Sequence, residues 1–309
     1  MMKIKNLIII LVMFISLFLV TGCSTRSNYN VTITTTIFPL YDFTRQITQD
    51  KLSVKMILPP GNEPHTYQLK PQDILTIRKS KLFIYTGPFL EVWADKLIDV
   101  LDEDKVLVVN VSDNLELHHE DDDDHDHKHH HDVDPHIWVD PILAQKIVDN
   151  ILENIIKIDP DNADFYRQNA SNYKQELVKL DLAYQDLFTK IEHKTIIFGG
   201  HFVFGYLAER YGVEHVSPYK GFSPDTLPTT KNLQNLVKVI ETTGNRTIFY
   251  EELINPEVAE IIAKETGAKL LPLNGAGYIT KADYESGVTY LDLMYQNIEN
   301  LKKGLNYHE

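Results

Sequence analysis

The sequence predicts an α/β protein with two lobes of parallel-sheet type that are joined by one long rigid helix. Three observations support this fold class. Short β-rich segments alternate with helical segments from residue 31 onward, which is typical of parallel sheets covered by helices. An apolar seam with helical spacing then runs through residues 164–191. After this seam the alternation resumes, so the long helix separates two α/β halves.

The first half is expected to contain four strands and three helices. The strands are "VTITTTIFPL" (31–40), "SVKMILP" (53–59), "KLFIYTG" (81–87) and "KVLVVNV" (105–111). The first two helices are "YDFTRQIT" (41–48) and "PQDILTIRKS" (71–80), the second with Pro71 in its first turn. The third helix, "DPILAQKIVDNILENIIKI", is expected to start with Asp140 as N-cap and Pro141 at the first helical position.

The seam that follows predicts one long helix. Its members are Tyr166, Ala170, Tyr173, Leu177, Leu180, Tyr184, Leu187 and Ile191. At about 1.5 Å per residue, the segment from Asp164 to Ile191 spans roughly 40 Å. A coiled-coil partner helix is the alternative, but further strands follow directly, which favours a rigid connection between lobes. These strands are "KTIIFGG" (194–200), "VEHVSP" (213–218), "RTIFYEE" (246–252) and "AKLLPLN" (268–274).

The N-terminus has the pattern of an export signal. Lys3 and Lys5 precede an apolar run from Leu7 to Val20, which is too short for a typical membrane span and suits a signal peptide. "VTGC" places small residues before Cys23, the only cysteine, as in a bacterial lipobox. We therefore expect a signal peptide at 1–22, lipidation of Cys23 and a polar tether at 23–30. An ordinary cleaved signal or a single-span anchor is the alternative.

Composition excludes some classes of function. The formal net charge is −14, so the chain lacks a basic surface that would neutralise nucleic-acid phosphates. We find no HExxH sequence, no G-x-S-x-G nucleophile elbow and no Walker A sequence. These observations argue against an extracytoplasmic zinc hydrolase, and the chain itself cannot hydrolyse ATP.

Three of the thirteen histidines lie in constrained settings outside the acidic run. His65 follows Pro64 in a loop after a strand, His136 follows Pro135 before a helix, and His201 follows Gly-Gly where a strand gives way to a helix. Ligands of open parallel sheets collect at the carboxyl ends of strands. Three neutral imidazoles that converge there would suit zinc in tetrahedral geometry, whereas manganese, calcium and magnesium prefer oxygen ligands.

Four motifs then indicate a family. "GNEPHTYQLKPQDI", "DPHIWVDP", "FGGHFVFGYLAERYG" and "YEELINPEVAEIIAKETGAK" together resemble the metal-binding receptors of bacterial ABC importers, the ZnuA/AdcA-like group of cluster A-I solute-binding proteins. The resemblance covers residue 31 to the C-terminus. It implies one metal bound between the lobes by His65, His136 and His201. It also implies zinc, because manganese importers of the family generally carry Glu at the position of His201.

The fourth ligand departs from the family pattern. The resemblance implies an Asp or Glu after the last core strand, and the matching residue in "KLLPLNGAGYIT" is Asn274. Because an amide oxygen is a weak zinc ligand, four candidates stay open: a water, Asn274, a nearby carboxylate such as Glu63 or Glu252, or a histidine of the acidic loop. Our hypothesis is three histidines plus a water or another exchangeable ligand.

The loop at 118–132 combines seven acidic residues with seven histidines, and it has no apolar residue to bury before Val133. A solvated loop without function is the simplest interpretation. The resemblance favours a second one, in which the loop collects zinc weakly near the cleft. The histidines concerned are His118, His119, His125, His127, His129, His130 and His131. The remaining His193, His215 and His308 receive no role.

The sequence therefore predicts an N-terminal lobe at 31–160, a linking helix at 161–192 and a C-terminal lobe at 193–309. The function expected is that of a receptor, not an enzyme: it would capture Zn²⁺ outside the cytoplasm and deliver it to an ABC permease and its separate ATPase. We expect a monomer held at the outer face of the cell membrane by its lipid, or a periplasmic protein. A manganese receptor of the same type and a surface adhesin are the alternatives.

Overall fold

The computed structural model describes residues 31–119, 133–222, 228–251 and 256–308. The predicted signal peptide, Cys23 and the tether lie outside the described residues. So do Glu252 and five histidines of the acidic loop, His125, His127, His129, His130 and His131. Within residues 31–309 the chain forms one compact unit.

A parallel four-stranded sheet forms the core of the first half, in the order β2-β1-β3-β4. Its strands are β1 (Ile33–Thr35), β2 (Val54–Met56), β3 (Leu82–Tyr85) and β4 (Leu107–Asn110). The helices between them are α1 (Phe38–Thr48), α2 (Pro71–Ile77) and α3 (Ala94–Ile98). β3 is buried along its whole length, as its continuous apolar sequence predicts for the centre of a parallel sheet.

The first predicted strand is longer than the observed one. β1 ends at Thr35, and α1 begins at Phe38, three residues before the predicted helix start. Pro39 lies in the first turn of α1, where its fixed φ suits a helix and its missing N–H is not needed. The apolar run alone does not distinguish a buried strand from a buried helix start, which explains the error.

The helices after the acidic loop follow the prediction closely. A 3₁₀ turn (Ile137–Val139) leads into α4 (Pro141–Ile158), whose N-cap Asp140 accepts hydrogen bonds from the backbone N–H groups of Ile142 and Leu143. A second 3₁₀ turn (Pro160–Asn162) precedes α5 (Ala163–Thr189), the long helix. The predicted apolar seam of α5 is buried throughout. Ile191 lies beyond the helix, where it forms an antiparallel bridge with Tyr307.

The second half contains two parallel strand pairs, β5-β6 and β7-β8. A parallel bridge between Phe198 and Phe249 joins the pairs. The strands are β5 (Thr195–Ile197), β6 (Glu214–Val216), β7 (Thr247–Tyr250) and β8 (Lys269–Pro272). The helices are α6 (Gly205–Tyr211), α7 (Thr230–Thr243), α8 (Glu257–Thr266), α9 (Lys281–Ser286) and α10 (Tyr290–Gly304). The predicted α/β architecture with parallel sheets and one long helix is therefore confirmed.

Among the residues described, none belongs to a helix that is both long and apolar enough to cross a bilayer.

Candidate metal centre

Each of the three predicted histidines is held by a short loop of a different type. Glu63 fixes the loop of His65, because its two carboxylate oxygens accept the backbone N–H groups of His65 (3.0 Å) and Thr66 (2.8 Å). His136 is the residue from which the 3₁₀ turn starts, directly after Pro135. His201 follows the extended end of β5 and precedes α6.

The loop before His201 requires a glycine. A Cβ atom on Gly199 would overlap the side chain of Ala259 on α8 and would lie 3.2 Å from Ile248 Cγ2 on β7. The backbone N–H of Gly199 donates to the carbonyl of Phe249 at 2.8 Å. The close approach that the Gly-Gly pair predicts is thus observed, and it places His201 between the strands of the second half and α6.

The three imidazoles meet at one point. Their candidate ligand atoms all lie within 4.8 Å of one another, and the ring centroids are 5.3 to 5.7 Å apart. The Nε2 atoms of His65 and His136 are 3.2 Å apart. Two nitrogens bound to one tetrahedral zinc at about 2.0 to 2.1 Å are separated by roughly 3.3 Å. The spacing of this pair therefore fits a shared zinc ion.

Asp134 orients His136, and it was not identified from the sequence. Its Oδ1 lies 2.7 Å from His136 Nδ1 and also accepts the backbone N–H of His136 at 3.0 Å. Since Nδ1 then carries the proton, the Nε2 lone pair of His136 faces the cavity. Gly205 makes room for this carboxylate, because a Cβ on Gly205 would lie 2.5 Å from Asp134 Oδ2. The sequence feature that could have identified Asp134 is its place in "DPH", two residues before His136.

His201 is buried, and within the described part of the chain its ring nitrogens lack the hydrogen bonds that would offset the cost of burial. Only 3% of it is exposed, and neither ring nitrogen has a hydrogen-bond partner among the described residues. Burial, followed by the neighbouring His136, lowers the pKa of His201 to about 3. The ring is therefore neutral at physiological pH. Leaving such a polar group unsatisfied costs about 1–3 kcal/mol, and a bound cation would satisfy it.

The cavity between the rings has a volume of about 10 Å³, about the room that one water-sized sphere needs. Trp138 contributes one wall: its ring packs edge-on against His136 at 5.4 Å, and its Nε1 donates to the carbonyl of Gly275 at 2.7 Å. Gly277 must be small, because a Cβ there would lie 2.8 Å from Trp138 Cζ2. Tyr67, two residues after His65, donates its hydroxyl to Asp73.

The candidates for the fourth ligand are placed differently. Glu63 lines the cavity, but both of its oxygens accept backbone N–H groups. Asn274 does not line it; its Oδ1 accepts the N–H of Ala276 at 2.7 Å, and its backbone is paired with the Asn297 side chain. Glu252 lies outside the described residues.

Glu251 lines the cavity as well, a residue that we had not selected. It directly follows β7, and its Oε1 accepts the backbone N–H of Gly275 at 3.1 Å. Burial raises the pKa of Glu251 to about 8, against the opposing effects of hydrogen bonds from Gly275 and Tyr278. Its place at the carboxyl end of a strand is the sequence feature that could have identified Glu251 as a site residue. The sequence "FYEEL" does not reveal which of the two glutamates faces the site.

The other histidines lie elsewhere. His215 stacks on Phe202, with ring centroids 3.9 Å apart, and His193 and His308 lie near the C-terminal segment. His118 stacks on Tyr206 and pairs with Glu209 at 2.8 Å, while His119 forms a bridge with Val133. The described ends of the acidic loop are thus paired with each other, three residues before the ligand candidate His136.

Comparisons with known proteins agree with this geometry. The model of the ZnuA family, described as "Zinc-uptake complex component A periplasmic", matches residues 33–304. The high-affinity zinc uptake system protein ZnuA of Bacillus subtilis is 38% identical over 279 residues, which cover 88% of this chain and 87% of that protein. The zinc-binding lipoprotein AdcA of Streptococcus pneumoniae is 32% identical over 97% of this chain, a match that spans 61% of AdcA.

A solved structure shows the same similarity in three dimensions. The Zn(II)-bound ZnuA-like domain of Streptococcus pneumoniae AdcA superposes with a TM-score of 0.75 at 29% sequence identity. The superposition covers 90% of this chain and 99% of that domain. The two-lobed solute-binding fold is therefore shared with this chain.

Proposed function

The chain belongs to the ZnuA family of zinc-uptake components, and on this premise we propose that it is the extracytoplasmic zinc receptor of an ABC importer. It captures Zn²⁺ between its lobes and delivers the ion to a membrane permease served by a separate ATPase. The observation that carries this proposal is the convergence of His65, His136 and His201 on a cavity with room for one ion. The comparisons do not favour a manganese receptor or an adhesin.

The cavity supports binding and not catalysis. A zinc hydrolase needs an open coordination position and space for its substrate beside the metal. Here the cavity has a volume of about 10 Å³ and is lined by the three imidazoles, Trp138, Gly275 and Gly277. An ion in this space is stripped of its hydration shell and held by nitrogen ligands, which favours zinc over magnesium, calcium and manganese.

Delivery requires the ligands to separate, because they come from both halves of the chain. His65 and His136 precede α5, and His201 follows it. We propose that the permease displaces the loop of one lobe and thereby opens the three-histidine site. The predicted lipid on Cys23 would keep the receptor beside this permease at the membrane. This anchor, like the monomeric state, is part of the proposal.

Competition titration with metal analysis tests the assignment. The wild type should bind one zinc ion tightly and prefer it to manganese. His201→Glu replaces a buried nitrogen ligand by a carboxylate, so we expect zinc affinity to fall by more than about 100-fold and the preference over manganese to shrink. His308→Glu, an exchange at an exposed position, is the control and should leave both unchanged. Equal zinc binding by all three proteins would contradict the proposal.

For the acidic loop we propose a collecting role, in which its histidines bind zinc weakly near the cleft. A chain that lacks residues 120–131 enters the same titration as a further variant. It should retain the single tight site and lose only weak additional binding, and uptake at scarce zinc should slow. Unchanged stoichiometry and uptake would argue against any role of the loop.

A further inference from the structure

The three imidazoles line only part of the cavity, and other residues of the chain line the remainder. Tetrahedral zinc with three nitrogen ligands requires a fourth. The wall on the remaining side includes Glu63, Glu251, Gly275, Gly277 and Tyr278. Two of these residues carry carboxylates, the oxygen ligands that zinc accepts most readily. The fourth ligand can therefore be sought among them.

Glu63 is committed to its own loop. Its Oε1 accepts the backbone N–H of His65 and its Oε2 that of Thr66, at 3.0 and 2.8 Å. If either oxygen turned to the metal, a backbone N–H of the loop that carries His65 would lose its partner. The residue thus acts by holding a ligand in place.

Glu251 differs from Glu63, because within the described ranges its two oxygens do not both accept backbone N–H groups. It is 5% exposed, and its Oε2 is buried without a hydrogen-bond partner among the described residues. Oε1 accepts the Gly275 N–H at 3.1 Å, and the Tyr278 hydroxyl lies close enough to the carboxyl group to affect its pKa. Gly275 is also shaped for this neighbour, because a Cβ there would overlap Oε1 of Glu251 and would lie 2.8 Å from Val203 Cγ2. The carboxyl group thus occupies a prepared niche at the wall of the cavity.

Charge favours a carboxylate over a water as the fourth ligand. Three neutral imidazoles leave the charge of a buried dication uncompensated, which is unfavourable unless an anionic group lies nearby. Asp134 reaches the ion only through His136.

We propose that Glu251 is the fourth zinc ligand and coordinates through Oε2. This inference rests on the proposed function, because it assigns a further ligand to the same ion. The group of ligand atoms within 4.8 Å consists of the three histidines alone, so the Glu251 side chain must move toward the ion when zinc enters.

Two isosteric variants test the proposal, Glu251→Gln and Glu63→Gln. Each removes one cavity carboxylate and keeps the side-chain shape. For each protein we would measure zinc affinity by competition, the zinc-induced infrared difference spectrum in the carboxylate region, and the visible spectrum of the Co²⁺-loaded form. Glu251→Gln should lower zinc affinity by at least about 100-fold, remove the carboxylate difference bands and change the Co²⁺ spectrum. Glu63→Gln should retain the bands and the spectrum.

The readouts separate a ligand from a structural residue. If Glu251→Gln weakens zinc binding but leaves the infrared bands and the Co²⁺ spectrum as in the wild type, the proposal is wrong. It is equally wrong if the wild type shows no zinc-induced carboxylate bands. Should Glu251→Gln fail to fold, Glu251→Asp replaces it and must keep the bands at reduced affinity. Failure of the receptor function itself looks different, since wild-type protein would then not bind zinc tightly.

Discussion

At the scale of single residues, the site depends on the groups that position its histidines. Asp134 sets the proton position on His136, and Glu63 stiffens the loop of His65. Both carboxylates precede their histidine by two residues, with a proline between, in "EPH" and "DPH". The short distance along the chain lets each side chain reach back to the backbone N–H of its histidine, which fixes the loop before any metal arrives.

Asp134→Asn tests the orienting role. The amide retains the shape of the side chain but loses the charge that supports His136, so zinc affinity should fall by about 10- to 100-fold. Isothermal titration calorimetry in competition with a chelator measures the zinc affinity of each variant. Asp181→Asn is the matched control, because Asp181 is also buried and accepts the hydroxyl of Tyr211 far from the site. If the two variants bound zinc equally, an orienting role of Asp134 would be untenable.

At the scale of elements, α5 determines how rigidly the two halves are joined. Its buried seam packs mainly on α4, with further contacts to α1 and α10, so the helix touches elements of both halves along its length. Tyr184 adds a hydrogen bond to the carbonyl of Met294 at 3.1 Å. A helix held on several sides resists bending, and domain motion is therefore expected to be small.

Leu180 and Leu182 allow a comparison of how much the buried and the exposed face of α5 contribute to stability. Leu180 is fully buried, and Leu182 is 56% exposed. Leu180→Ala should reduce the free energy of unfolding by about 2–5 kcal/mol, because it leaves a cavity in the core. Leu182→Ala should change it by less than about 0.5 kcal/mol. Urea denaturation of the two variants measures both values, and equal losses would show that the seam is not the packing face.

At the scale of the whole molecule, the loop of residues 274–279 ties the halves together around the site. The backbone N–H of Gly61 donates to the carbonyl of Ile279 at 2.7 Å, and Trp138 donates to Gly275. The hydroxyl of Tyr290 donates to the carbonyl of Trp138 at 2.6 Å. Each of these bonds joins two groups of the protein itself. The fold should therefore not depend on zinc, although zinc adds to its stability.

Removal of zinc by a chelator tests this independence. The far-ultraviolet circular dichroism should stay unchanged, and the radius of gyration should stay near about 19 Å, as for a compact chain of this size. The melting temperature should fall, since free zinc at 100 times its Kd stabilises the folded state by about 3 kcal/mol. His201→Ala should show no zinc-dependent shift. Loss of helical signal on chelation would mean that the metal is needed for folding.

The sequence by itself determined the fold class, the long helix and the three histidines. The apolar periodicity of residues 164–191 and the proline and glycine residues that flank each histidine are local signals, and the structure contains all of them. The motifs also pointed to the zinc receptors, which the family match confirms. The lobe boundaries, the lipid on Cys23 and the role of the acidic loop stay predictions.

Only the tertiary structure decided which oxygen groups line the cavity. Glu251 and Glu252 are indistinguishable in "FYEEL", and Asn274 occupied the position that the family pattern favoured. The chain fold turns Glu251 into the cavity and engages Asn274 in hydrogen bonds with Ala276 and Asn297. Such choices depend on contacts between segments far apart in the chain: residue 251 meets the loop at 275, and His65 meets His136 and His201. Local periodicity carries no information about these contacts.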